Sequence, residues 1–179
     1  MDALPPRANA SPTRELGDRG SFVFAWQFDV GAAHDPSAPL DKVSGTAILS
    51  PSLEAFVVRR LSLGVAMGVG FQSGPGAQAS QISVTPRVGY VFPLARDLLF
   101  WPRAGFELES RSVSTPNTTT RIWSDALSFY APLSLVPLEH IEVGFGPTFA
   151  ATLATRETGG KEAPLGTTFG LAVDLGGWL

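Results

Sequence analysis

The chain has 179 residues, of which 44% are apolar and 16% charged, with a net charge of −3 and no cysteine. That length fits one domain, and the charged fraction falls below the roughly 25% usual in soluble proteins. An acidic balance without a basic stripe excludes nucleic acid as a partner, and the lack of cysteine excludes disulfides and thiol chemistry.

The first twenty residues, MDALPPRANASPTRELGDRG, are polar and contain none of the apolar core, about 7–15 residues long, that a secretory signal needs. They predict a disordered tail over residues 1–19, with any export signal removed or lying outside this sequence. From residue 20 onward no apolar run reaches the ~18 residues of a membrane-spanning helix. Apolar side chains instead alternate with small or polar ones, the period of a strand with two unlike faces.

In chain order, the first run, SFVFAWQFDV, sets Phe22, Phe24, Trp26, Phe28 and Val30 against Ser21, Val23, Ala25, Gln27 and Asp29. The second sets Leu49, Leu53, Ala55 and Val57 against Ser50, Ser52, Glu54 and Phe56. The third, LSLGVAMGVGF, places Leu61, Leu63, Val65, Met67, Val69 and Phe71 opposite serine, glycine and alanine alone. Three glycines within this run disfavour a helix, at roughly 1 kcal/mol each.

The fourth and fifth runs turn Ile82, Val84, Val88, Tyr90 and Phe92, then Leu98, Phe100, Ala104, Phe106 and Leu108, one way. Facing them are Ser83, Thr85, Arg87 and Gly89, then Arg103, Gly105 and Glu107. The sixth opposes Leu127, Phe129, Leu133 and Leu135 to Ser128, Tyr130 and Ser134. The seventh opposes Ile141, Val143, Phe145, Phe149 and Leu153 to Glu142, Gly144, Gly146, Thr148 and Thr152. The eighth opposes Phe169, Leu171, Val173 and Leu175 to Thr168, Gly170, Ala172, Asp174 and Gly176.

Tight turns at VRR, PLARD and PLEH alternate with longer polar connections at 34–44, 72–81, 111–121 and 155–166. Short turns therefore gather at one end of the sheet, long loops at the other, and both termini fall at the short-turn end. In a soluble sandwich or a lipocalin-like ligand barrel the second face meets water and is rich in charge; here it is small. An eight-stranded antiparallel up-and-down transmembrane barrel over residues 20–179 accounts for both faces, with lipid outside and a narrow interior filled by side chains. Strands of about 9–11 residues suffice to cross.

This architecture predicts that Phe24, Leu63, Val65, Met67, Val84, Phe106, Phe145 and Leu171 face lipid, with Tyr90, Phe92, Phe100 and Trp26 in interfacial girdles. It places Asp29, Glu54, Arg87, Arg103, Glu107 and Asp174 inside, as a charge network that blocks the lumen. Pro51, Pro86, Pro102, Pro132 and Pro147 fall within the runs, where a missing donor predicts a bulge at each.

The stretches ILSPSLEAFVVRRLSLGVAMGVGF, VTPRVGYVFPLARDLLFWPRAGFEL, HIEVGFGPTF and GLAVDLGGWL resemble the small outer-membrane β-barrel proteins of Gram-negative bacteria, in the outer-membrane protein A and X group. The resemblance implies a bacterial outer-membrane location. It also implies contact with outer-membrane lipid and lipopolysaccharide, insertion by the outer-membrane assembly machinery, and a monomer without cofactor. Members usually end in an aromatic residue, whereas here Trp178 is penultimate and Leu179 last.

Chemistry is thinly supplied. His34 and His140 are the only histidines, too few for a multi-histidine metal site. Some small outer-membrane barrels are lipid A acyltransferases, deacylases or proteases, and His34 with Asp35 and Ser37 is the set such an enzyme would use. The ordinary reading of these three is a solvated loop, so the chain reads as a non-enzymatic structural or surface-interaction protein. GPGAQ at 74–78 is a glycine turn without a phosphate-loop lysine, and Asn117-Thr118-Thr119 is a chance glycosylation sequon.

Overall fold

The computed structural model describes residues 16–34, 44–74, 77–115, 118–157 and 166–179. Their regular structure is entirely β: β1 (Phe22–His34), β2 (Ser44–Val58), β3 (Leu61–Gly74), β4 (Ala77–Tyr90), β5 (Phe92–Ala95), β6 (Leu98–Phe100), β7 (Arg103–Thr115), β8 (Thr118–Tyr130), β9 (Leu133–Leu138), β10 (Ile141–Glu157) and β11 (Thr167–Trp178). Eight of these form an antiparallel ring in the order β1-β2-β3-β4-β7-β8-β10-β11, closed by pairing of β11 with β1. Phe22 and Leu179 exchange backbone hydrogen bonds of 3.2 and 3.0 Å, which brings the ends of the ring together on the short-turn side.

The three short strands are continuations of ring strands. β8 meets β10 at Tyr130↔Thr148, and β9 meets it at Leu133↔Phe145, so the chain stays in step across the gap at Ala131–Pro132. The same holds for β7 and β6 against β8 and β9, with Arg103↔Tyr130 and Phe100↔Leu133 on either side of Trp101–Pro102.

At the five prolines expected to bulge, Pro51, Pro86, Pro102, Pro132 and Pro147, the pairing shows gaps without register shifts, contrary to the sequence expectation. Pro102, Pro132 and Pro147 lack a donor, but their carbonyls accept from Tyr90, Trp101 and Ala131, each at 3.1 Å. At Pro51 and Pro86 the ladder lapses on one side, between Leu49 and Ser52 and between Val84 and Arg87, and resumes in the same register. A proline removes one hydrogen bond and leaves strand length unchanged, so no extra residue is needed. The register shifts lie at other positions, Phe56/Val58, Pro93/Ala95, Ile141/Val143 and Thr152/Ala154, of which the second begins at Pro93 and the third spans Pro137 on the β9 side.

Ring strands run from 12 residues in β11 to 17 in β10, longer than a bilayer requires. Two of the four expected long loops are mostly strand, since β3 reaches Gly74, β4 starts at Ala77, β7 reaches Thr115 and β8 starts at Thr118. His34, expected in a loop, ends β1 opposite Thr167. Above the lipid level both faces meet water, so the apolar alternation vanishes while backbone pairing continues.

The two faces are inverted relative to a soluble barrel. Phe24, Leu63, Val65, Met67, Val84, Phe106, Phe145 and Leu171 all point outward and are exposed, from 38% at Val84 to 56% at Phe145. Ser62, Ser52, Ser83, Ser134 and Ala172 are buried inside. Such an outer surface is a liability in water and is what a lipid-facing wall needs. The soluble ligand-barrel alternative is thereby overturned. Tyr90, Phe92 and Phe100 cluster at the short-turn rim, with ring centroids 4.8 and 6.0 Å apart, while Trp26 stands higher on the wall against Phe24 at 5.8 Å.

Residues 16–19, the end of the segment the sequence assigns to a disordered tail, form turns with Gly20 that are tied beneath the ring. Arg60 N donates to Gly17 O at 2.7 Å and Gly20 N to Phe56 O at 2.8 Å. Gly17 and Gly20 have φ of 98° and 84°, left-handed values that favour glycine.

Candidate functional site in the barrel lumen

The interior is layered. Nearest the short-turn end, Val23, Ala25, Phe56, Val91, Leu99, Trp101 and Trp178 form a buried apolar cluster, with Leu16 and Val136 packed against it. Trp101 is wholly buried and stacks on Phe56 with centroids 5.4 Å apart. Trp178 faces this cluster, and its carbonyl lies 2.9 Å from His140 Nδ1. Below it a recess of about 800 Å³, lined partly by Leu16, Arg60, Leu99 and Trp178, opens outward.

Above the apolar layer lies an ionic one, built around Arg103. Its Nε is 3.1 Å from Glu54 Oε1, its Nη1 2.8 Å from Asp174 Oδ2 and its Nη2 3.8 Å from Glu142 Oε1. Arg87 reaches the same Glu54 oxygen with Nη2 at 2.5 Å. Ser62 donates to Glu54 Oε2 at 2.6 Å, and Tyr130 donates to Asp174 Oδ1 at 3.0 Å. The Trp101 indole donates to Ser62 at 3.3 Å and lies with its ring 3.8 Å from Arg103 Cζ, linking the two layers. Arginine suits this hub because its planar fork engages several carboxylates at once and stacks on aromatics.

The ring brings these groups together from distant parts of the chain: Glu54 from β2, Arg87 from β4, Arg103 from β7, Glu142 from β10 and Asp174 from β11. Space for them comes from glycine on neighbouring strands. A Cβ on Gly144 would collide with the Asp174 carboxylate, and one on Gly64 with Glu54 Cγ. The small interior face is therefore the complement of the large polar side chains that cross it.

Of the six lumen charges expected from sequence, the structure joins Glu54, Arg87, Arg103 and Asp174. Asp29 and Glu107 stand apart, nearer the long-loop end. Asp29 accepts from Thr148 Oγ1 at 3.2 Å, and Glu107 hydrogen-bonds to Ser83. Between the two levels is a cavity of about 100 Å³ lined in part by Gln27, Thr85, Arg87, Glu107, Tyr130 and Thr148. Glu142, Trp101 and Tyr130 also join the network, beyond the six charges expected from sequence. Counting back by twos from Arg103 puts Trp101 inside, and that is the signal by which it can be found.

Asp35 and Ser37, the companions that a His34 site would need, lie outside the described residues, as do Asn117 and residues 75–76 of GPGAQ. Among the described residues no group of three histidines or carboxylates is placed to hold a metal ion.

No family model and no curated protein sequence matches the chain. Solved structures do match in fold. Neisserial surface protein A superposes with a TM-score of 0.68 at 12% identity, over 89% of this chain and 99% of that one. The outer membrane protein OprG from Pseudomonas aeruginosa gives 0.58 at 10% identity over 90% and 97%, and Ail, the attachment invasion locus protein of Yersinia pestis, 0.57 at 10% over 88% and 99%. These likenesses establish the fold as that of small outer-membrane β-barrels.

Proposed function

We propose that this eight-stranded transmembrane barrel resides in the bacterial outer membrane as a closed, non-enzymatic anchor that presents its long-loop end to the outside. Its role is then structural or one of surface interaction, with the polar segments at 35–43 and 158–165 among the parts that meet other molecules. The observation that supports this reading is the double closure of the lumen. An apolar layer centred on Trp101 lies against an ionic layer centred on Arg103, in a barrel just wide enough for side chains to fill.

Closure removes a channel function from the wall and leaves the exposed ends to carry the biology. On this reading the chain works as a monomer. It is inserted by the outer-membrane assembly machinery and surrounded by phospholipid and lipopolysaccharide. No cofactor is part of this reading.

Planar-bilayer recording tests the reading. The purified protein is expected to give no large, steady single-channel conductance. Stable openings of porin size would show that the lumen is a pore, and the anchor reading would fall.

A further inference from the structure

The outer wall carries a cationic site at its long-loop end. Ser124 and Thr155 are register partners and are buried inside the barrel, which fixes the direction of their neighbours. Trp123 and Arg156, the next pair along, therefore point outward, and Arg121 follows Trp123 on the same face. Trp123 is 56% exposed, and both arginines are exposed. Arg156 lies directly opposite Trp123, and Arg121 is one side-chain step further from the apolar band, within diagonal reach across the strand pair.

The position relative to the apolar wall identifies the occupant. Leu153, Leu108 and Ile82 mark the last large apolar side chains of β10, β7 and β4 on this side, and Trp123 continues that level on β8. Tryptophan at such a level sits among lipid headgroups. The two guanidinium groups just beyond it meet the zone where lipid phosphates lie. Asp125, half-buried, lies a step nearer the band on the same face and offsets one of the positive charges.

We infer that Arg121, Trp123 and Arg156 form a docking site for the phosphorylated headgroup of a lipid in the leaflet at the long-loop end. The inference rests on the transmembrane reading above. The guanidinium forks suit phosphate oxygens, and the indole packs on the sugar or glycerol region beneath.

The test uses the full chain inserted into phosphatidylcholine vesicles with and without added lipid A, a bisphosphorylated glucosamine lipid, then extracted in mild detergent. The lipid that co-purifies is measured. The unmodified protein is expected to retain lipid A in preference to phosphatidylcholine, and the Arg121→Gln/Arg156→Gln variant to lose that preference by about tenfold. An Arg59→Gln/Arg60→Gln variant, altered at the opposite rim, is expected to keep it. Should the double variant fail to insert, the two single variants carry the same measurement, each expected to lose about threefold. Equal enrichment in parent and variants, or displacement of the lipid by inorganic phosphate at constant ionic strength, would overturn the site. Failure of the unmodified chain to insert would instead count against the transmembrane reading.

Discussion

Replacing Arg103 with methionine is expected to lower stability in detergent by about 3–5 kcal/mol, as breaking a buried ion pair by removing one partner does. The guanidinium faces three carboxylates, those of Glu54, Glu142 and Asp174, and is almost completely buried with them. Methionine fills similar volume but leaves Asp174 with the Tyr130 hydroxyl and Glu142 with no cation. Arg87→Met is a different case, because Glu54 keeps Arg103, and its cost is expected to be smaller, about 3 kcal/mol. Urea unfolding in detergent, followed by circular dichroism, gives both numbers. An Arg103→Met barrel no less stable than the Arg87→Met barrel would show that Arg103 is not the hub.

The second large effect is expected at Trp101, where alanine should cost about 3–5 kcal/mol, the usual penalty for truncating a buried aromatic. Its indole is wholly buried, stacks on Phe56, donates to Ser62 and covers the Arg103 guanidinium. Truncation therefore opens a cavity and uncovers an ion pair in one change. Trp101→Phe keeps the ring against Phe56 and loses the hydrogen bond, so it is expected to cost about 1 kcal/mol. A Trp101→Ala barrel within the error of its parent in the same unfolding experiment would mean that Trp101 does not hold the apolar and ionic layers together.

The walls were readable from sequence because a lipid-facing strand leaves an unambiguous pattern. Phe22, Phe24, Trp26 and Phe28 alternate with residues that must fit a narrow interior, and no soluble sheet would place such side chains in water. The same logic fails where the membrane ends. Residues 72–74 and 111–115 are strand in the structure, but their mixture of serine, glutamine and arginine suits water on both faces and reads as loop.

The lumen was legible by direction and not by partnership. Period-two counting sends Glu54, Arg87, Arg103, Asp174, Asp29 and Glu107 inward alike. Which of them meet depends on their height in the ring: Glu107 stands two inward steps above Arg103 on β7 itself, and Asp29 one inward step above Gln27, the residue that pairs with Asp174. Glu142 falls on the inward face by the same count, yet its place one residue into β10, beside the PLEH turn, gives no sign that its carboxylate comes within 3.8 Å of the Arg103 guanidinium. The prolines misled for a separate reason: a missing donor does not require an extra residue when the carbonyl still holds the neighbouring strand, as at Pro102, Pro132 and Pro147.

Whether the apolar wall meets lipid is tested most directly by fractionation of exported protein. Expressed in a Gram-negative host behind an export signal, the chain is expected in the outer-membrane fraction. It should resist alkaline carbonate extraction and show a β-sheet circular dichroism spectrum only in detergent or lipid. Recovery from the periplasm as a folded monomer that stays soluble without detergent would contradict the account.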